Sequence, residues 1–258
     1  MDRALEKREL LFSVRSLGKQ FPNGFEALSK IDLDVFEGEC LLIAGANGSG
    51  KTLLMRIMAG LLEPSEGEIL FKGKTLGECK KILRRSIGLV FQDAEAQILG
   101  ETVEEDVRFG PENLKLPKEE INARVEETLS GMDLSHKRDF EARHLSGGEK
   151  RRLAVAGVLA MGCQTIIMDE PFANLDWPGV IQVQKTIETL KGANKTIIIL
   201  THELEKVLAF ADRLVILAGG TVRDSGFPGE VLDRLLPAWG VRDPRKAWQG
   251  PGIPVTQP

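Results

Sequence analysis

The sequence predicts an α/β protein built on a largely parallel sheet. The prediction rests on apolar runs that alternate along the chain with helical patterns. Continuous apolar runs occur at 40–44, 165–168, 196–200 and 214–217. Runs of this kind are typical of strands that are buried on both faces. Helical patterns lie between them at 51–61, 149–160, 178–191 and 203–210. Strands that alternate with helices indicate an α/β core.

A second, antiparallel β unit is predicted from the N-terminal part of the chain. Residues 11–15 and 31–36 read as strands, and in the second one Ile31, Leu33 and Val35 alternate with aspartates. Such alternation is typical of a half-buried antiparallel strand. We therefore expect an N-terminal extension at 1–10, one domain at 11–237 with a helical insertion at about 92–160, and a partly flexible tail at 238–258.

Composition limits the function classes. With 258 residues and 42% hydrophobic content, the chain is long and apolar enough for one well-packed domain. Its net charge of −4 argues against a broad basic surface for nucleic acid. The longest apolar run, 153–163, is too short to span a bilayer. The three cysteines lack the paired spacing of a metal site and fit a reducing cytosol.

A phosphate-binding loop is the clearest motif. Residues 45–52 read GANGSGKT, between an apolar strand and a helical pattern. Glycines let successive backbone N–H groups point at an anion, and the start of the next helix adds its positive dipole end. We expect Lys51 to reach the β- and γ-phosphates and Thr52 to ligate Mg²⁺. The predicted nucleotide-binding residues of the loop are Gly45, Ala46, Asn47, Gly48, Ser49, Gly50, Lys51 and Thr52.

Two carboxylates follow an apolar strand in TIIMDE, residues 165–170. Ligands of parallel sheets bind at the carboxyl ends of the strands. We expect Asp169 to hold Mg²⁺ and Glu170 to act as the general base that deprotonates a water. The alternative is a pair of solvated acids at a strand end, which fits less well beside a complete phosphate loop.

A second helix start is predicted at LSGGE, residues 145–149. Ser146 suits the N-cap position and Glu149 lies three residues later, as in a capping box. Gly147 and Gly148 leave N–H groups bare at a helix N-terminus, which is a second anion site. One explanation for two such sites is that the second serves a nucleotide held by another copy.

Taken together, GANGSGKT, Gln92, LSGGE, TIIMDE, Asp176 and His202 resemble, in identity and order, the nucleotide-binding subunit of ABC transporters. The resemblance covers about residues 11–235. It implies a P-loop NTPase of the ABC ATPase fold, with a parallel core sheet, an antiparallel β subdomain and a helical subdomain. ATP and Mg²⁺ are the implied cofactors.

The resemblance also implies roles for particular residues in a head-to-tail dimer. The catalytic set is Glu170, His202, Gln92 and Lys51, and the Mg²⁺ set is Thr52, Gln92 and Asp169. Ser146, Gly147, Gly148 and Asp176 would contact the ATP held by the other subunit. The family often has a tyrosine against adenine; this chain contains none, so Phe21 is the expected substitute. The alternative for Phe21 is turn packing.

The stretch QDAEAQILGETVEEDVRFG, residues 92–110, is similar to the energy-coupling-factor branch of the family, which imports vitamins and cobalt or nickel. Asp93, Ala94 and Arg108 depart from the usual pattern of that branch. There, a transmembrane scaffold docks arginine-bearing helices on the ATPase, so we expect Glu104, Glu105 and Asp106 to receive them. The alternative for these acids is a solvated helix face favoured by the helix dipole.

The sequence therefore predicts an ATPase that powers a membrane importer from the cytoplasmic face of the membrane, as a peripheral subunit. Its expected partners are a second ATPase subunit, identical or different, a transmembrane scaffold and a membrane substrate-binding subunit, without nucleic acid. The alternatives are the ATPase of an ordinary ABC importer or exporter, an ABC-type ATPase acting on ribosome or DNA, and a non-catalytic nucleotide-binding regulator.

Overall fold

The computed structural model describes residues 8–246, which form two sheets and a group of helices. The strands are β1 Leu10–Gln20, β2 Glu26–Phe36, β3 Cys40–Ala44, β4 Glu66–Phe71, β5 Lys74–Thr75, β6 Ile87–Val90, β7 Thr165–Asp169, β8 Thr196–Thr201, β9 Arg213–Ala218 and β10 Thr221–Gly226. The helices are α1 Lys51–Met58, α2 Leu76–Ser86, α3 Val103–Asn113, α4 Lys118–Gly131, α5 Gly147–Ala160, α6 Trp177–Gly192 and α7 Pro228–Asp233.

The central sheet has six strands in the order β10-β9-β3-β8-β7-β6. All neighbouring pairs are parallel except β10 with β9. The order changes direction around β3, so the loop after β3 opens between β8 and β9. Loops at such a switch point are where α/β proteins bind their ligands.

Both faces of this sheet are covered, which explains the continuous apolar runs. Along β8, Ile197 and Ile199 belong to one hydrophobic core, whereas Ile198 and Leu200 belong to the other. The first core is completed by α3, α4, α5 and α6, and the second by α1 and the strands of the other sheet. A strand that contributes to two cores needs apolar residues at every position.

The second sheet has four antiparallel strands in the order β2-β1-β4-β5. It contains both N-terminal strands expected from the alternation, but they are longer than expected. The shorter strands β4, β5, β6 and β10 were not predicted. The α/β class, with a parallel core sheet, an antiparallel sheet and a group of helices, agrees with the sequence-based expectation.

One predicted helix is wrong. Residues 203–210 form two short 3₁₀ turns, Leu204–Lys206 and Leu208–Phe210, rather than an α-helix. Val207 between them adopts φ −136°, outside the helical region. Its side chain is buried in the core, so tertiary packing overrides the local helical pattern.

The described part of the predicted tail packs on the domain. Trp239 lies against the hydrophobic core and Val241 is buried. The Asp243 carboxylate pairs with Arg245. The rest of the predicted tail, residues 247–258, lies outside the described residues, as do residues 1–7.

Candidate nucleotide site

The phosphate loop connects β3 to α1 and turns where glycine is required. Gly50, the N-cap of α1, has φ +104°, a conformation that L side chains rarely adopt. A Cβ added at Gly45 would lie 2.2 Å from the carbonyl oxygen of Leu217. The loop therefore keeps its tight path only with glycine at these two positions, as the motif predicts.

Lys51 is buried at the first turn of α1, and its ammonium lies between the loop and the end of β7. Nζ donates to the carbonyl oxygens of Gly45 at 2.7 Å and Ala46 at 3.2 Å. It also lies 3.3 Å from Oε1 of Glu170. The tertiary structure thus brings together the lysine of one motif and the expected general base of another.

Thr52 and Asp169 supply oxygen atoms at the same place. The Thr52 hydroxyl donates to Oδ2 of Asp169 at 2.7 Å. Oδ1 of Asp169 is buried, and among the described residues it has no hydrogen-bond partner. Burial raises the pKa of Asp169 despite the bond from Thr52. A divalent cation would offset that burial, and hard oxygen donors of this kind fit Mg²⁺.

Mg²⁺ sites of this type use one or two carboxylates together with waters and phosphates rather than a dedicated cage. In residues 8–246 no group of three or more His, Cys, Asp or Glu side chains is arranged to hold a metal ion. The pair formed by Thr52 and Asp169 is accordingly the candidate Mg²⁺ site. The Gln92 side chain, the third expected ligand, is exposed.

Glu170 directly follows β7, and its carboxylate is held by β8. Oε2 accepts from the Thr201 hydroxyl at 3.0 Å and from the backbone N–H of His202 at 3.3 Å. Oε1 lies 3.0 Å from Nδ1 of His202. Glu170 and His202 are therefore in contact. Thr201 was missed, although it directly precedes His202 in the sequence.

Arg151 is a second site residue that sequence reasoning missed. It lies in the second turn of α5, is only 6% exposed, and points away from solvent. Its guanidinium donates to the carbonyl oxygens of Glu170 and Gln92, each at 3.0 Å, and of Ala173 at 3.3 Å. The only sequence signal was an arginine next to the LSGGE motif at the start of an otherwise apolar helix.

The LSGGE segment forms the predicted capping box at the start of α5. The Ser146 hydroxyl accepts from the backbone N–H of Glu149, and the Glu149 carboxylate accepts from the backbone N–H of Ser146. Burial opposes ionisation of Glu149, but hydrogen bonds from Lys137 and Ser146 outweigh it and lower its pKa to about 2. The segment is thus fixed by an ionised carboxylate.

The residues expected to reach a partner's nucleotide lie on one surface. A Cβ added to Gly147 would lie 3.6 Å from the Leu175 side chain, and one added to Gly148 would lie 3.3 Å from Cα of Gly179. Asp176 is the N-cap of α6, and its Oδ1 accepts from the backbone N–H of Gly179 at 3.0 Å. The LSGGE motif and the Asp176 turn therefore adjoin.

Phe21 lies in the turn between β1 and β2 and is 38% exposed. The Lys19 ammonium lies 6.0 Å from its ring centroid. Phe25 in the same turn is more exposed, at 61%, and its carbonyl accepts from the backbone N–H of Phe21. A ring is therefore accessible for stacking, and the adenine role of Phe21 stays a prediction.

The three acids expected to dock a partner all have partners inside the chain. Glu104 pairs with Arg108 at 3.1 Å, and Glu105 closes the capping box of α3 with Thr102. Asp106 is 9% exposed and accepts from the backbone N–H groups of Leu99 and Gly100. Burial raises the pKa of Asp106. These contacts favour a structural role for Glu105 and Asp106.

A groove of about 580 Å³ lies beside these acids. It is lined by Glu95, Ile98, Gly100, Glu101, Thr102, Glu141, Arg143 and Lys150. Lys150 pairs with Glu95 at 2.9 Å, and Arg143 pairs with Glu141. The Glu101 carboxylate, in contrast, makes no ion pair or hydrogen bond within residues 8–246. The groove thus has one carboxylate that is not neutralised.

Comparison with known proteins places the chain and its fold in a family. The family model described as ABC transporter matches residues 28–173. The energy-coupling factor transporter ATP-binding protein EcfA of Methanocaldococcus jannaschii is 40% identical over 86% of this chain and 81% of its own length. The cobalt import ATP-binding protein CbiO of Rhodobacter capsulatus is 41% identical over 91% of this chain and 85% of its own length.

A solved structure is also similar. CbiO1 of Clostridium perfringens, part of the ABC transporter complex CbiONQ, is 38% identical, with a TM-score of 0.82 over 87% of this chain and 91% of that chain. This chain belongs to the ABC transporter family. It has the ATP-binding domain of that family, which hydrolyses ATP to drive transport. The predicted family and fold are confirmed.

The helices in the described part of the chain are all too short or too polar to cross a membrane.

Proposed function

We propose that this chain is the ATP-hydrolysing subunit of an energy-coupling-factor importer for a vitamin or a transition-metal ion. Its similarity to EcfA and CbiO supports the branch. The observation that carries the catalytic part is the meeting of Lys51, Glu170 and His202, from three separate segments, within 3.3 Å contacts. This arrangement favours an ATPase over a regulator that only binds nucleotide.

In the proposed reaction, Glu170 accepts a proton from the water that attacks the γ-phosphate of ATP. General-base catalysis contributes about 10²–10⁴-fold. Thr201 and His202 hold the Glu170 carboxylate in one orientation. Lys51 and the N–H groups of the phosphate loop bind the phosphates. Thr52 and Asp169 would hold Mg²⁺, whose charge offsets that of the phosphates, and Gln92 would sense it.

Two copies of such a domain, identical or different, would form a head-to-tail dimer with two ATP sites. Ser146, Gly147, Gly148 and Asp176 of one subunit would complete the site that contains Lys51 of the other. The adjoining surface of LSGGE and the Asp176 turn supports this arrangement. Binding of ATP closes the pair, and hydrolysis reopens it. To shift the pair from 1% closed to 99% closed, ATP must bind the closed state more tightly than the open state by about 5.5 kcal/mol.

The groove beside Glu101 is the proposed docking site for a transmembrane scaffold at the cytoplasmic face of the membrane. A cationic helix entering it would meet Glu101 and the apolar edge formed by Ile98 and the neighbouring Leu99, which is 64% exposed. Exposed ion pairs contribute only about 0–1 kcal/mol, whereas close interfacial charge pairs couple by about 1.5–7 kcal/mol. Docking therefore requires that Glu101 and the cation of the scaffold be buried together, along with the side chains of Ile98 and Leu99.

Affinity purification after detergent extraction tests this proposal. The tagged wild-type chain is expected to bring down a second ATPase subunit, a multispanning scaffold and a small membrane protein that binds the solute. Glu101→Lys places a cation in the groove and is expected to reduce recovery of the scaffold at least about tenfold, which corresponds to about 1.4 kcal/mol. Its ATPase rate in isolation should stay at the wild-type value.

Glu119→Lys makes the same charge change at an exposed position in the first turn of α4, outside the groove. It is expected to recover the scaffold normally. Equal recovery with Glu101→Lys and wild type would reject the groove as the docking site. Recovery of ribosomes or DNA instead of membrane proteins would reject the importer.

A further inference from the structure

Two adjacent residues of α5 face two different environments. Lys150 points into the groove, where it pairs with Glu95. Arg151, the next residue, points into the protein and contacts the carbonyl of Gln92. The segment that follows β6 is therefore attached to the start of α5 at two points, Glu95 and Gln92.

Arg151 also reaches the turn that follows β7. Its Nη1 donates to the carbonyl oxygen of Glu170 at 3.0 Å, and its Nη2 donates to that of Ala173 at 3.3 Å as well as to Gln92. One planar guanidinium thus connects three segments: α5, the Gln92 segment and the Glu170 turn. A lysine has a single ammonium and lacks the rigid planar fork that makes these contacts.

The Glu170 backbone needs such a contact. Its φ is +46°, in the left-handed region that non-glycine residues rarely adopt. Such a conformation persists only where the surroundings hold it. The backbone N–H of Glu170 bonds to Leu200, whereas its carbonyl oxygen accepts from Ala173 and Arg151. Arg151 is the contact that comes from outside the strands and their connecting turn.

The position of this arginine is not explained by charge pairing. Within residues 8–246 its polar partners are carbonyl oxygens, and no carboxylate forms an ion pair with it. Its Nε is buried, and among the described residues it has no hydrogen-bond partner. Burial accordingly lowers the pKa of Arg151. A buried cation of this kind is costly unless its geometry serves a purpose.

We propose that Arg151 is a positioning residue for hydrolysis: it fixes the backbone of Glu170 and Gln92 relative to α5, so that base and sensor keep one arrangement relative to each other and to the LSGGE motif. The inference rests on the proposed roles of Glu170 and Gln92. Arg151 does not touch the nucleotide-binding atoms itself, so it acts through these two residues. A misplacement of about 1 Å at a reacting group can cost about 10²-fold in rate.

The test compares steady-state kinetics of Arg151→Met, Arg151→Lys and wild type. We expect Arg151→Met to lower kcat by about 10–100-fold with the ATP Kd within about threefold, because the phosphate loop is not altered. Arg151→Lys should lie between the two. Arg124→Met is the matched control, because Arg124 donates to the carbonyl of Ala160 at the far end of the same helix. It should keep the wild-type kcat.

A double-mutant cycle with Glu170→Gln separates positioning from general destabilisation. If Arg151 acts through Glu170, adding Arg151→Met to Glu170→Gln should lower the residual rate by less than about threefold. If the rate losses of the two single variants multiply in the double variant, the inference is overturned. A wild-type kcat for Arg151→Met would also overturn it. Should Arg151→Met fail to fold, Arg151→Lys is measured in the same cycle. Wild-type hydrolysis by Glu170→Gln alone would reject the proposed base, and with it the inference that Arg151 acts through Glu170.

Discussion

Glu170 shows how a reactive carboxylate is held by its neighbours. Its side chain is buried, and it receives bonds from Thr201 and from His202 while lying 3.3 Å from Lys51. Its backbone is in a left-handed conformation, which costs on the order of 1–3 kcal/mol in a non-glycine residue. The cost is offset by contacts from β8 and α5. Strain of this kind at a reactive group is typical of a functional position.

Replacing this carboxylate tests the base directly. We expect Glu170→Gln to bind ATP with a Kd close to wild type and to lower kcat by about 10²–10⁴-fold, because the amide keeps the size but accepts no proton. Nucleotide binding and phosphate release are the two measurements. Glu205→Gln, at an exposed carboxylate three residues after His202, is the control and should keep the wild-type kcat. Retained hydrolysis by Glu170→Gln would remove Glu170 as the base.

Helix α5 joins several parts of the molecule. Its N-terminus carries the LSGGE residues, its second turn carries Lys150 and Arg151, and its apolar side packs against α3, α6 and β6. The capping box with Lys137 fixes where the helix begins. Helix α5 therefore connects the LSGGE motif to the Gln92 segment and to the Glu170 turn.

The low pKa of Glu149 predicts a pH-dependent contribution to the stability of this element. The folded state lowers the Glu149 pKa from its ordinary value near 4.5 to about 2. The stabilisation is therefore fully present above about pH 4.5 and is lost as the pH falls toward about 2. Glu149→Gln should lower the free energy of unfolding by about 1 kcal/mol at neutral pH.

Thermal unfolding of wild type and Glu149→Gln across this range is the measurement. We expect the two melting temperatures to converge as the pH falls below about 4.5. Glu119→Gln, at an exposed position on α4, serves as the control and should show a small, constant difference. A constant difference for Glu149→Gln would contradict the assignment.

At the scale of the whole molecule, the two motifs of the proposed nucleotide site lie in separate parts of one chain. Lys51 and Glu170 are at the carboxyl ends of β3 and β7, whereas Gly147 and Gly148 adjoin the Asp176 turn. The LSGGE motif and the phosphate loop begin separate helices, α5 and α1. In the proposed head-to-tail pair, each of the two ATP sites would combine the phosphate loop of one subunit with the LSGGE motif of the other.

Mixing two inactive variants tests the composite site. Lys51→Ala should abolish hydrolysis by loss of phosphate binding, and Ser146→Arg by obstruction of the partner's site. In mixed pairs one of the two sites is intact, so mixing equal amounts should restore roughly a quarter of the wild-type rate after random assortment.

The control mixes each single variant with the double variant Lys51→Ala and Ser146→Arg, which leaves no intact site and should give no recovery. Absence of recovery in the first mixture, with Ser146→Arg still binding ATP, would contradict a site shared between two copies of this chain.

The sequence by itself determined the class of fold and the family, and it located the phosphate loop and the LSGGE capping box. Apolar runs at 165–168 and 196–200 are continuous because β7 and β8 contribute to two cores, and this requirement acts on every residue. The phosphate loop and the LSGGE capping box are local, since their glycines and their cap act within a few residues. Features that depend only on residues close in the chain can be predicted from the sequence.

Tertiary structure alone decided the contacts between distant segments. The bonds of Arg151 to Gln92 and Glu170 span 59 and 19 residues, and no local pattern encodes them. Burial of Asp106 and the 3₁₀ turns around Val207 likewise follow from packing against other elements. Side chains at helical spacing can be assigned to a face from sequence, but what that face meets is set by the chain topology.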